Sequence, residues 1–222
     1  MLAVPVALVC WQWLDDRATE HRLAPIASAV AGRTIEVDCQ SLWATLIDPL
    51  PRQGSVLFDR SGTPEPLIFL AHATCDRLQA FRGKRRHGEV ACLSELDWSQ
   101  PIPLVPGSPC YRQASKTVYA LMTLAHEAYH TTGVTNEATA NCYAIQAMAF
   151  VAVALGAEQE EAELLADTMN ALEPLQVGEY RTAECRAGAR LDLHPETPDF
   201  PTEQPLAPPY GTGGVRVQAS GA

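Results

Sequence analysis

Two histidines and a glutamate stand at a spacing suited to metal-assisted hydrolysis. In His126-Glu127-Ala128-Tyr129-His130 the imidazoles are four residues apart, so on a helix they share one face and can bind a single Zn2+ at about 2.0–2.1 Å. Glu127, beside the first histidine, can reach a water activated by the metal and take its proton. With six histidines and 16 glutamates in 222 residues, chance supplies this pattern about 0.01 times. The plainer alternative is a helix whose histidines are surface or hydrogen-bonded groups.

A catalytic zinc takes three protein ligands and keeps a fourth position open. Glu137 is the candidate third ligand, seven residues after His130. On one unbroken helix it would lie about 10.5 Å further along the axis, too far to share the ion. The chain must therefore turn, and Gly133 before Val134-Thr135-Asn136 supplies the means, because glycine readily takes the positive φ that ends helices. Glu137 then projects from the first turn of the next helix; alternatively it is only an acidic first-turn residue favoured by the helix dipole. Stabilising an oxyanion calls for a further donor, and Tyr180, Arg186, His194 and Tyr143 are the candidates.

The elements that must position these groups read as mainly α with a few short strands (α+β). Ser115 caps a helix over about 116–132, and Asn136 or Thr135 caps a second running to Leu155. From Tyr143 to Leu155 the only polar residue is Gln146, which predicts burial on most sides. A third helix covers about 157–172, with Leu165, Met169 and Leu172 inward. Upstream, 15–30 reads as helix interrupted at Pro25, and Thr34–Cys39 and Ser55–Phe58 as strands. Leu67, Leu70, Ala71, Thr74, Cys75 and Leu78 recur at helical spacing, so 64–81 reads as one helix ended by Gly83. Residues 195–222, rich in Pro and Gly, read as an extended or disordered tail after a single domain over 15–194.

The motif and the Asn136-Glu137-Ala138-Thr139-Ala140-Asn141 run resemble the zincin metallopeptidases, above all the branch with a glutamate ligand in N-E-x-x-S-D. The resemblance implies a zincin-like helical core, Zn2+ as cofactor, Glu137 as third ligand and Glu127 as general base. It puts Asn141 where the family's Asp orients a ligating histidine. Two features depart from that branch. The interval from His130 to Glu137 is short, and Gly133 fits the metzincin pattern, which would put the third ligand at Asn136. The segment from His126 to Gln146 is also similar to uncharacterised exported proteins of actinobacteria.

Sixteen basic against 26 acidic residues give a net charge of −10, which argues against nucleic acid as a partner. No stretch of 18 apolar residues is present, so no complete membrane span is expected. Residues 1–14 suit either an export or anchoring segment or a buried N-terminal element. Cysteines stand at 10, 39, 75, 92, 110, 142 and 185, dispersed rather than in zinc-ribbon pairs. With Cys10 set aside, six remain for disulfides in an oxidising compartment, and Cys142 should point away from the metal face. The expectation is a zinc-dependent hydrolase acting on peptide or protein outside the cytoplasm. The alternatives are a catalytically silent zinc-binding protein and an envelope interaction module.

Overall fold

The structure is a computed structural model that describes residues 3–41, 53–100, 103–197 and 199–201. Of the tail expected over 195–222, residues 198 and 202–222 lie outside those residues; residues 195–197 form a turn in which the Thr197 N–H donates to the His194 carbonyl. Helix α1 spans Ala3–Ala31 and runs unbroken across the boundary expected at residue 14. Pro25 lies inside it rather than ending it. A proline removes one helical hydrogen bond, but Leu23, Ile26, Ala27 and Val30 form a buried stripe that holds the helix against the core. Gly32, at φ 66°, ends it.

Strands β1 (Glu36–Cys39), β2 (Gly54–Phe58) and β3 (Pro64–Leu70) form one sheet in the order β1-β3-β2. β1 runs parallel to β3, and β2 runs antiparallel to it, with Gly54 opposite Leu70. The β2–β3 turn is built on Asp59, whose carboxylate accepts from the Ser61 and Thr63 backbone N–H groups. Residues 64–81 are thus not one helix: the strand runs to Leu70, and α2 occupies His72–Arg82, ending at Gly83. Leu67 and Leu70, three apart, suit the helical period, but the unbroken apolar run Leu67-Ile68-Phe69-Leu70 serves a strand equally, and Pro64 and Pro66 disfavour a helix. Ile68 and Leu70, two apart, are the residues fully buried.

Two further short helical turns, α3 (His87–Val90) and a 3-10 turn at Ala91–Glu95, lead to the central helix α4, Pro109–His130. It starts seven residues before Lys116, because the Ser108 hydroxyl accepts from the Tyr111 N–H and Pro109 sits in the first turn. Helix α5 (Glu137–Ala154) is capped by the Asn136 side chain, which accepts from the Thr139 N–H. Helix α6 (Gln159–Leu172) buries Leu165, Met169 and Leu172. Helix α4 is the core: Leu121, Leu124, Ala125 and Ala128 are fully buried, with the sheet and α1 against it on one side and α5 on another. The molecule is mainly α with a small sheet, as the residue pattern predicts, and no described helix is long and apolar enough to cross a membrane.

Three disulfides join Cys39–Cys75, Cys92–Cys110 and Cys142–Cys185. They use the six cysteines other than Cys10, a pairing that fits an oxidising, extracytoplasmic environment. Cys142 points into its disulfide rather than toward the histidines, as its position around the helix requires.

Candidate metal centre

The last turn of α4 carries His126, Glu127 and His130, all buried. Beyond it the chain reverses: the Thr131, Thr132 and Gly133 N–H groups donate to the carbonyls of Glu127, Tyr129 and His130, and Gly133 sits at φ 93°. Arg33 donates to the Thr131 carbonyl and closes the helix end. Asn136 then starts α5, so Glu137 returns to the face it would have overshot on a straight helix.

Three donor atoms converge there. His126 Nε2 lies 3.0 Å from Glu137 Oε2 and 2.9 Å from His130 Nε2, and His130 Nε2 lies 3.4 Å from Glu137 Oε2. Ligands bonded to zinc at 2.0–2.1 Å in a tetrahedron sit about 3.3–3.4 Å apart, so small movements would admit the ion. His130 Nδ1–H donates to the Val134 carbonyl at 2.6 Å, which leaves the Nε2 lone pair facing the other two donors. Burial, and then the nearby His126, hold the His130 pKa below its ordinary value. The hydrogen bond to His126 holds the Glu137 carboxyl low despite partial desolvation. Neutral imidazole and ionised carboxylate are the forms that bind a cation. This group of two histidines and a glutamate can hold a metal.

The pKa directions predict how stability depends on pH without metal. The unfolded chain has ordinary values of 6.5 for His130 and 4.5 for Glu137, and both are lower in the folded protein. Where the unfolded state binds more protons, stability falls as pH falls. The His130 contribution should be whole above about pH 6.5 and lost below it, and the Glu137 contribution should follow below about pH 4.5. Urea midpoints of the metal-free protein should therefore drop in that order; a midpoint unchanged from pH 8 to pH 5 would contradict the His130 part.

The centre opens into a cleft of about 660 Å³. One wall is β2 with Gln53, Gly54, Ser55, Val56 and Phe58; Tyr119, Met122 and Thr123 of α4 form the floor. Asn141, Gln176 and Tyr180 close the far side. Tyr180, in a 3-10 turn at Gly178–Tyr180, has its ring centroid 6.2 Å from that of His126, so this oxyanion candidate is at the site. His194 is not: it pairs with Glu196 at 3.2 Å and does not line the cleft, because Gln146, more than two turns beyond Glu137, holds Leu191 and Leu193. Arg186 is exposed, and Tyr143 packs on Tyr129.

Asn141 does not orient a histidine. Its Nδ2 donates to the Tyr180 carbonyl at 2.8 Å and to Gln176 Oε1 at 3.2 Å, while its Oδ1 and His126 Nδ1 have no hydrogen-bond partner among the described residues. One turn beyond Glu137, it faces the segment that covers the site, and the Val134 carbonyl orients His130 instead. Cys142 adds its disulfide to Cys185. Gln146, a turn further, donates to the Leu191 carbonyl and accepts from the Leu193 N–H. One face of α5 thus straps residues 176–193 to itself at three points, and Gln176 and Tyr180 of that segment line the cleft. In Asn141→Ala, hydrogen exchange of amides 176–181 should rise at least about tenfold while α4 stays protected, since this loses a buried bond and local opening grows in proportion. Unchanged exchange would show that the disulfide and Gln146 hold the strap without Asn141.

Comparison of the chain with family models, with curated proteins and with solved structures gives no match.

Proposed function

We propose that this protein is a zinc-dependent hydrolase of the zincin type that cleaves peptide bonds outside the cytoplasm, secreted or anchored at the cell envelope. The observation that carries this reading is the convergence of His126 Nε2, His130 Nε2 and Glu137 Oε2 within 3.4 Å, next to the buried Glu127, at the bottom of an open cleft. Two imidazoles and one carboxylate are a donor set used by catalytic zinc. When bound, the ion supplies a Lewis acid that polarises a carbonyl oxygen and acidifies a water.

The chain's own residues do the rest. Glu127 takes the proton from the attacking water and returns it to the leaving nitrogen. Tyr180, which lines the cleft with its ring 6.2 Å from that of His126, is the candidate donor to the oxygen on which charge develops. A peptide substrate is favoured by β2. Among the described residues it is an edge strand paired only with β3, and it lines the cleft, so its free backbone groups can pair with an extended chain.

The test is mass-spectrometric profiling of a mixed peptide library incubated with zinc-loaded protein. Cleavage products that disappear with a chelator and return with zinc support the reading. Zinc-loaded protein that yields none would leave a silent metal site.

A further inference from the structure

The cleft wall holds a glycine for which the backbone has no need. Gly54 opens β2, and it is not among the glycines with positive φ, so its conformation would accept any L residue. What it lacks is room. A Cβ there would lie 2.7 Å from Glu127 Cγ, 2.9 Å from Oε1 and 3.0 Å from Cδ. Carbon atoms not bonded to one another meet at about 3.5–4.0 Å, so strand and carboxylate cannot both stay where they are.

The strand is the fixed partner. Immediately before Gly54, the Gln53 carbonyl accepts from the Ala71 N–H and from the Thr74 hydroxyl, both at 3.0 Å, and Gln53 Oε1 accepts from Thr123 of α4. β2 is thereby tied to α2 and to the same helix that carries Glu127. The side chain of Glu127, with its rotatable bonds, is the partner that would yield.

We propose that Gly54 is a positioning residue for the general base: its bare Cα is the space that lets the Glu127 carboxylate lie against the edge strand beside the metal ligands. The inference rests on the metal-hydrolase reading of the site. Gly54→Ala should swing the carboxylate aside without touching a metal ligand.

The test uses cobalt-substituted protein and acetohydroxamate, followed by the visible spectrum. Acetohydroxamate chelates the metal through its oxygens and shares its proton with an adjacent carboxylate, so its affinity reports where Glu127 is, whether or not the protein hydrolyses anything. Gly54→Ala should keep its cobalt and bind acetohydroxamate roughly tenfold more weakly, the loss of a charge-assisted hydrogen bond. In a Glu127→Ala background, where the clashing atoms are gone, the same glycine substitution should change the affinity less than about twofold. A purely structural role for Gly54 would act equally in both backgrounds, and that result would overturn the proposal. So would wild-type affinity in Gly54→Ala. Should Gly54→Ala fail to fold, recovery of folding in Gly54→Ala/Glu127→Ala supports the clash, and no recovery overturns it. Wild-type protein that takes up no cobalt would overturn the metal reading and this inference with it.

Discussion

Glu127→Gln should leave the protein folded and loaded with zinc while lowering peptide hydrolysis about a thousandfold, within the range that general acid–base groups contribute. The substitution keeps shape and volume, so packing around this buried side chain is retained. None of the converging donor atoms belongs to Glu127, so zinc stoichiometry should not change. What disappears is the capacity to take a proton at one step and return it at the next. The loss should therefore fall on kcat, with KM nearly unchanged. A Glu127→Gln variant as active as wild type would remove Glu127 from the mechanism, whatever the metal does.

The second large effect is on the metal. His130→Ala should weaken zinc binding by more than about a hundredfold, since even losing a partner that merely orients a ligand costs 10–100-fold. Two changes coincide at this position. One of three donors is removed, and so is the ring whose Nδ1–H is fixed on the Val134 carbonyl. Glu137→Gln should be the milder ligand change, because an amide oxygen can still coordinate but has no charge with which to hold the cation. Competition with a chromophoric chelator would rank the variants. Equal zinc affinity in wild type and His130→Ala would show that the ion binds elsewhere.

The candidate metal site is legible in the sequence where it is local. The pair His126 and His130 needs only one turn of helix, and Glu137 follows from the break at Gly133, whose positive φ the structure confirms. The mainly helical class follows from apolar spacing and helix caps, and the burial of α5 from an apolar run broken only by Gln146. Longer-range features were not readable. The segment over the centre is bound by contacts spanning 35 to 47 residues, which no local pattern reports. The zincin resemblance makes Asn141 a partner for histidine, whereas its amide nitrogen donates to the Tyr180 carbonyl. The lone polar residue in an apolar helix, Gln146, is the available hint that something polar docks there.

Gly54 lies 73 residues before Glu127 and just outside the strand that the sequence suggests over Ser55–Phe58. A glycine inside a strand often marks a close approach, but the strand begins one residue earlier than its β-branched and apolar pattern shows. Residues 64–81 misled for a different reason. Their apolar positions suit both periods, and the prolines that decide for strand lie at its start.

Zinc content tests the central claim most directly. Wild-type protein, purified without chelators, should carry about one equivalent of zinc per chain by elemental analysis, and the double variant His126→Ala/His130→Ala essentially none. Less than about a tenth of an equivalent in wild type, even after incubation with zinc and removal of the excess, would contradict it and leave the helix pair as the scaffold of an interaction module.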